Sequence, residues 1–254
     1  MLVQITNTCN MGCPHCLQNS TPHPQHMTWE HVLRARWFAH KSGCSVVLIS
    51  GGEPTEHPRF KEIVELFLEF KYVMIASNGQ WQSDERKVSE ISYLLRKHKN
   101  LMMQITSNPK IYPHQVDLKW FKKFPNVTVH TGEIHMKALG RAANNKEFSR
   151  MAAEDSSTMS CLSSIAISAQ VPYLQAIGIM ELRGMFCHPL VDFQGNLHWS
   201  ESWLCPAFGN IDEEFDDLAL KAGKWRPCCK CADYQKLVRK KEINYLQIRK
   251  ILKI

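Results

Sequence analysis

The sequence predicts an α/β fold, an open partial barrel of strand-helix units with a small cysteine-rich α+β extension behind it. Three observations predict it. Short apolar runs alternate with helical patterns through the first half of the chain, and that order implies parallel strands joined right-handedly by crossover helices. The stretches richest in chemistry, Cys9 to Cys16 and Gly51 to Pro54, follow two of those runs, at the carboxyl ends where barrels of parallel strands build their sites. From Cys187 the alternation stops, and cysteines, glycines and short strand patterns take over. The expected division is residues 1–186 for the barrel and 187–254 for the extension.

Leu2 to Ile5 reads as the first strand and leads into the cysteine loop. Thr28 is placed to cap a helix with Glu30 in its first turn, and Trp29, Val32, Leu33 and Trp37 recur at helical spacing behind it. Ser45 to Ser50 is the second strand, and a helix from about Phe60 to Phe70 follows, with Ile63, Val64, Leu66, Phe67 and Phe70 as its buried stripe. Tyr72 to Ala76, the turn Ser77-Asn78-Gly79 and a helix from Ser83 to His98 form the third unit. Leu101 to Thr106 and Val127 to Thr131 are strands four and five, separated by a helical piece near Asp117 to Lys123.

Beyond residue 134 the pattern weakens. Ser156 to Ser164 reads as a polar loop, and Ile165 to Val171 as either a sixth strand or part of a helix from Ser163 to Met180. Leu190 to Trp199 reads as two short strands around a turn at Gln194-Gly195, followed by a helix near Phe215 to Ala222. A basic amphipathic helix closes the chain from about Ala232.

A length of 254 residues suits one barrel-type domain with an appendage. No run is long and apolar enough to cross a membrane, and no basic segment followed by an apolar one opens the chain, so a cytoplasmic protein is expected. Ten cysteines without such a signal favour metal ligation or redox chemistry in a reducing compartment over a disulfide framework. The net charge of +7 sits partly in Lys236, Arg239, Lys240, Lys241, Arg249, Lys250 and Lys253. That face suits an acidic partner such as nucleic acid, an acidic peptide or an electron-donor protein, and it equally suits a solvated helix.

Cys9, Cys13 and Cys16 place three thiols within eight positions of one loop. Thiolate selects iron-sulfur, zinc or copper(I), and three ligands leave a cubane one protein ligand short, with an iron open to a substrate. The alternative is a zinc site closed by His15 or another histidine. Gly51-Gly52-Glu53-Pro54 alone would be an ordinary turn.

Together, C-x3-C-x2-C after a first strand and Gly-Gly-Glu-Pro after a second resemble the signature of the radical S-adenosylmethionine (radical SAM) superfamily. The resemblance implies a (β/α)6 three-quarter barrel and a [4Fe-4S] cluster on Cys9, Cys13 and Cys16. It also implies reductive cleavage of S-adenosylmethionine to a 5′-deoxyadenosyl radical, with the electron coming from a donor such as flavodoxin or ferredoxin. Carried over by position, Gly51, Gly52 and Glu53 meet the amino group of SAM, and His15 lies near the adenine. Ser77 and Asn78 meet the carboxylate or ribose, while Gln104 and Thr106 resemble ribose contacts. His135 to Ala142 is similar to a Gly-Arg-Ala stretch of peptide-modifying members, the alternative being a helix start with a solvated Arg141.

The C-terminal region resembles the auxiliary-cluster extension called SPASM, in its shorter twitch form, through Cys187, Gly195, Cys205, Cys228, Cys229 and Cys231. Cys187, Cys205, Cys231 and one of Cys228 and Cys229 would close one auxiliary [4Fe-4S] cluster, or a structural zinc site with the same thiolates. Cys44 and Cys161 are read as a buried thiol and a loop thiol. Enzymes with this extension imply a ribosomally made peptide or protein as substrate, and the start at the cluster strand implies that a separate protein supplies leader recognition. One alternative is modification of a nucleotide or nucleic-acid base, with Trp81, Trp199 and Trp203 as stacking surfaces. A second is a non-catalytic zinc-binding interaction protein.

Overall fold

The computed structural model describes residues 1–108, 111–131, 140–148, 189–198 and 207–224. Among them the parallel strands are β1 (Leu2–Gln4), β2 (Val46–Ser50), β3 (Tyr72–Ser77), β4 (Leu101–Thr106), β5 (Val127–His130) and β6 (Leu190–Val191). Helices α1 (Trp29–Lys41), α2 (Phe60–Phe67), α3 (Glu85–Lys97) and the one-turn α4 (Leu118–Phe121) connect successive strands. A short α5 (Gly140–Ala143) follows β5. The sheet runs β5-β4-β3-β2-β1-β6 and is extended by the antiparallel strands β7 (Asn196–His198) and β8 (Gly209–Asn210). The fold is the α/β partial barrel that the alternation implied.

Strand alternation decides where the core lies. Val47 and Ile49, Val73 and Ile75, and Leu101, Met103 and Ile105 project from one face of the sheet and are almost fully buried against Val32, Ile63, Phe67, Ile91 and Leu94 of the helices. The opposite face, carrying Leu48, Met74, Met102, Gln104 and Thr106, is half-buried. Burying the first set on both partners is what fixes the register of each strand.

The helix starts are written in side chains. Thr28 accepts from His31 N at 3.2 Å, and Asp84 accepts from Arg86 N and Lys87 N at 3.0 and 3.1 Å. The third helix therefore begins at Glu85, because Gln80–Ser83 coils as a 3-10 turn after Gly79, whose φ of +78° lets the chain reverse out of β3. On α1 the buried face is Val32, Ala35, Phe38 and Ala39. Leu33 and Trp37, which helical spacing had grouped with Val32, remain over 40% exposed. Cys44 is a buried thiol, as read from the sequence.

The short strands after residue 189 do not form a separate layer. Leu190 and Val191 pair in parallel with Leu2 and Val3, so β6 extends the barrel sheet from the outer edge of β1. Asp192 accepts from Gln194 N at 2.9 Å and Asn196 N at 2.8 Å, closing the turn to β7, and Gly195 completes it at φ +85°. The last described helix, α6 (Phe215–Lys224), leans on α1 through Phe215, whose ring centroid lies 5.7 Å from Trp37 and 5.6 Å from Phe38. Several expectations lie outside the described residues: the polar loop at Ser156 to Ser164, the strand or helix within Ser163 to Met180, Cys161, Trp199, Trp203 and the basic terminal helix.

Candidate active site

The loop after β1 and the loop after β2 are built against each other. Gly52 N donates to Thr6 O and Glu53 N to Thr8 O, both at 2.8 Å. A Cβ on Gly51 would stand 2.7 Å from Thr6 O, and one on Gly52 would stand 2.5 Å from Thr8 O. Those neighbours are backbone and cannot rotate away, so only glycine permits the approach.

Glu53 has no exposed surface. Its carboxylate accepts from Thr55 Oγ1 at 2.8 Å, Thr55 N at 3.2 Å, Ser77 Oγ at 2.9 Å and Asn78 N at 2.7 Å. Burial pushes its pKa up, and these four donors pull against that shift by favouring the charged form. Glu53 thus ties the loop after β2 to the end of β3.

Asn78 carries the tie onward. Its Nδ2 donates to Asn10 Oδ1 at 2.9 Å and lies 3.9 Å from Cys9 Sγ, while Ser20 N donates to Cys16 Sγ at 3.4 Å. From the other side, Arg141 N donates to Cys16 O at 3.0 Å, Arg141 Nε donates to Cys13 O at 2.9 Å, and its guanidinium also reaches Ser20 O. Gly140, at φ +53°, brings α5 so close that a Cβ would stand 2.5 Å from Leu17 O. Arg141 is therefore not a solvated helix-start residue: it clamps the cysteine loop. His135 to Leu139 and Glu133 lie outside the described residues.

These contacts border an open cavity of about 260 Å³ whose wall includes all three cysteines, Gly51, Gly52, Ser77, Asn78, Thr106, His15 and Arg141. Of the residues the sequence singled out around the first cysteine loop, Glu53 stands behind the wall rather than in it, and Gln104 is not part of it. Gln104 is one step further back along the same face of β4 as Thr106. Tyr112 is the residue sequence reasoning missed. It lines the cavity and meets His15 edge-on at a centroid distance of 4.8 Å, from an irregular segment with no motif to announce it.

The electrostatics describe a donor set short of positive charge. Burial, with Cys9 and Cys16 beside it, pushes the Cys13 thiol up to about 12, and Arg141 only partly opposes this. Burial, less the backbone N–H groups of Met11 and Gly12, raises Cys9 to about 11. Cys9 and Cys13, side by side in one loop, resist ionising together without a cation between them, which is what a metal cluster supplies. Among the described residues no three His, Cys, Asp or Glu side chains already stand in a metal-gripping arrangement. His15 is 7% exposed and is held neutral, chiefly by burial, and its Nδ1 is buried with no hydrogen-bond partner. The soft donor set and the orphaned ring nitrogen both fit a bound cofactor. Cys187, Cys205, Cys228, Cys229 and Cys231 lie outside the described residues.

The loop after β2 ends on a second histidine with a defined tautomer. His57 Nε2 donates to Met27 O at 3.1 Å, while Nδ1 accepts from Arg59 N at 3.0 Å, and burial lowers its pKa from 6.5. Below about 6.5 the unfolded chain takes up a proton that the folded chain refuses, so this contribution is full above that pH and is lost on the way down to the folded value. The thermal midpoint is expected to fall between pH 7 and 5.5, and His57→Gln to flatten part of that fall. An unchanged pH profile in the variant would remove His57 from the account.

Residues 3–145 match the family described as the Radical SAM superfamily. No curated protein matches the chain. Among solved structures, Streptococcus suis SuiB bound to its precursor peptide SuiA is 12% identical, with 89% of this chain and 66% of that chain covered and a TM-score of 0.56. SuiB bound to S-adenosylmethionine is 11% identical over 77% of this chain and 58% of that one, at 0.47. Native anSMEcpe with bound AdoMet is 13% identical over 97% and 87%, at 0.42. The chain spans less than two thirds of the length of these SuiB chains. At such identities the first likeness speaks for the fold alone.

Proposed function

The chain belongs to the radical SAM superfamily, and from that premise we propose an enzyme that modifies a ribosomally made peptide or protein at an unreactive carbon. The observation that carries the reading is the convergence of Cys9, Cys13 and Cys16 with Gly51, Gly52, Ser77 and Asn78 on one cavity wall. The three cysteines would hold the [4Fe-4S] cluster, which with SAM supplies a 5′-deoxyadenosyl radical able to take hydrogen from substrate. The protein's own residues bind and orient. Gly51 and Gly52 present bare backbone to the SAM amino group, Ser77, Asn78 and Thr106 serve its carboxylate and ribose, and neutral His15 with Tyr112 offers flat edges to adenine. Gln104 would reach the ribose only from further along β4. Glu53 acts through Ser77 and Asn78, which its carboxylate holds in place.

Within this reading the C-terminal region is a twitch-like extension, with Cys187, Cys205, Cys231 and one of Cys228 and Cys229 on a single auxiliary cluster. Cys205→Ala would then spare SAM binding and lower turnover; loss of SAM binding in that variant would contradict the assignment. A flavodoxin or ferredoxin supplies the electron, and the enzyme works in the cytoplasm. No helix among the described residues is long and apolar enough to cross a membrane.

The peptide reading is supported by SuiB, a chain of like fold whose structure holds its precursor peptide SuiA. The nucleic-acid alternative loses one of its stacking groups, because Trp81 is 1% exposed and packs edge-on against Trp120 and Phe121. Binding assays with peptide pools and oligonucleotides separate the two. Peptide-dependent SAM consumption supports the proposal. Oligonucleotide binding that is tight at low salt and weakens steeply as salt rises, with no peptide response, overturns it.

A further inference from the structure

A chain of polar contacts runs from the surface to the first cysteine in the cavity wall. Glu56, at the end of the 3-10 turn Pro54–Glu56, accepts on one oxygen from Lys87 Nζ at 2.7 Å and from Asn10 Nδ2 at 3.0 Å. Asn10 Oδ1 accepts from Asn78 Nδ2, the same nitrogen that lies 3.9 Å from Cys9 Sγ.

Each amide in this chain can point only one way. A carboxylate only accepts, so Asn10 must turn its nitrogen to Glu56 and its oxygen to Asn78. Gln80 N donates to Asn78 Oδ1 at 2.9 Å, which turns the Asn78 nitrogen towards Asn10 and the sulfur. Lys87 is also oddly placed for α3 alone, since a cation in the first turn opposes the helix dipole. Glu56 offsets that charge, and the two side chains are only 28% and 24% exposed.

Resting on the reading that Cys9 ligates a cluster, we propose that Glu56 and Lys87 are positioning residues for that sulfur, acting through Asn10 and Asn78 to set how readily the cluster accepts an electron. Hydrogen bonds to cluster sulfurs and nearby net charge are the protein's means of tuning such a potential. The ion pair is neutral as a unit. Glu56→Gln keeps an acceptor for Lys87 and Asn10 but leaves a positive charge beside the loop, which favours reduction. Lys87→Met leaves a negative charge, which opposes it.

The test is a redox titration of the reconstituted full chain without SAM, followed by the spectrum of the cluster and by iron content. At the parent's midpoint the reduced-to-oxidised ratio should rise roughly threefold in Glu56→Gln and fall roughly threefold in Lys87→Met, as a partly screened unit charge predicts. The double variant should return towards the parent. Shifts of the same sign in both single variants, no shift in either, or equal loss of iron from both would overturn the proposal, since a merely structural pair behaves that way. A parent chain that assembles no iron-sulfur cluster and cleaves no SAM would instead overturn the proposed function.

Discussion

Replacing Cys13 with alanine should reduce 5′-deoxyadenosine formation to background while leaving the fold standing. Cys13 is the middle thiol of the three, 8% exposed, on a loop whose backbone is held by Arg141 at Cys13 O and Cys16 O. Those backbone bonds survive the substitution, and the loss of one sulfur at a cavity wall costs about 1 kcal/mol of packing. The thermal midpoint of the metal-free variant should stay within a few degrees of the parent. Iron retention should collapse, because two thiolates cannot keep a cubane that is already one protein ligand short. Iron and sulfide per chain, measured beside deoxyadenosine, check this. SAM cleavage at the parental rate would show that Cys13 is not a ligand.

The second large effect is expected at Glu53. Glu53→Ala strips the acceptor from the Ser77 hydroxyl, the Asn78 amide and both donors of Thr55, all of them buried residues. Buried donors left without partners cost on the order of 1–3 kcal/mol each before relaxation. A net loss of about 3 kcal/mol, or roughly 10 °C in thermal midpoint for a chain of this size, is the expected outcome. SAM affinity should fall with it, because Ser77 and Asn78 lose the contact that seats them. Thermal unfolding and equilibrium dialysis with SAM are the two measurements. Lost SAM binding with undiminished stability would mean that the carboxylate meets the ligand directly.

That distinction marks where sequence reading stops. The Gly-Gly-Glu-Pro stretch announced a tight loop, and the glycines do face the cavity. A charged residue is seldom buried without partners, however, and two of the four donors to Glu53 come from Ser77 and Asn78 at the end of β3, 24 and 25 residues on. Tyr112 sits in an irregular segment, so no periodicity could place its ring against His15. Strands β2 to β4 were legible because each is a run of five or six mostly apolar residues bounded by turn and helix patterns. The two short strands around Gln194-Gly195 were legible as β6 and β7, but only the pairing of β6 with β1 shows that they extend the barrel sheet. On α1 the 3.6-residue period was clear, yet Leu33 and Trp37 fall on the less buried side; Trp37 meets Phe215 from a helix more than 170 residues away.

Arg141 shows the same limit from the other direction. The Gly-Arg-Ala stretch fits both a helix start and a clamp, and nothing local separates them. The separation comes from where Cys13 and Ser20 place their carbonyls, 128 and 121 residues earlier in the chain.

The central claim is that the three thiols and the loop after β2 form a site for SAM cleavage on an iron-sulfur cluster. Anaerobic reconstitution with iron and sulfide, followed by dithionite reduction in the presence of SAM, tests it most directly. The expected result is 5′-deoxyadenosine together with about four irons per chain, or about eight if the C-terminal cysteines hold a second cubane. Stoichiometric zinc, little iron and no deoxyadenosine would contradict it.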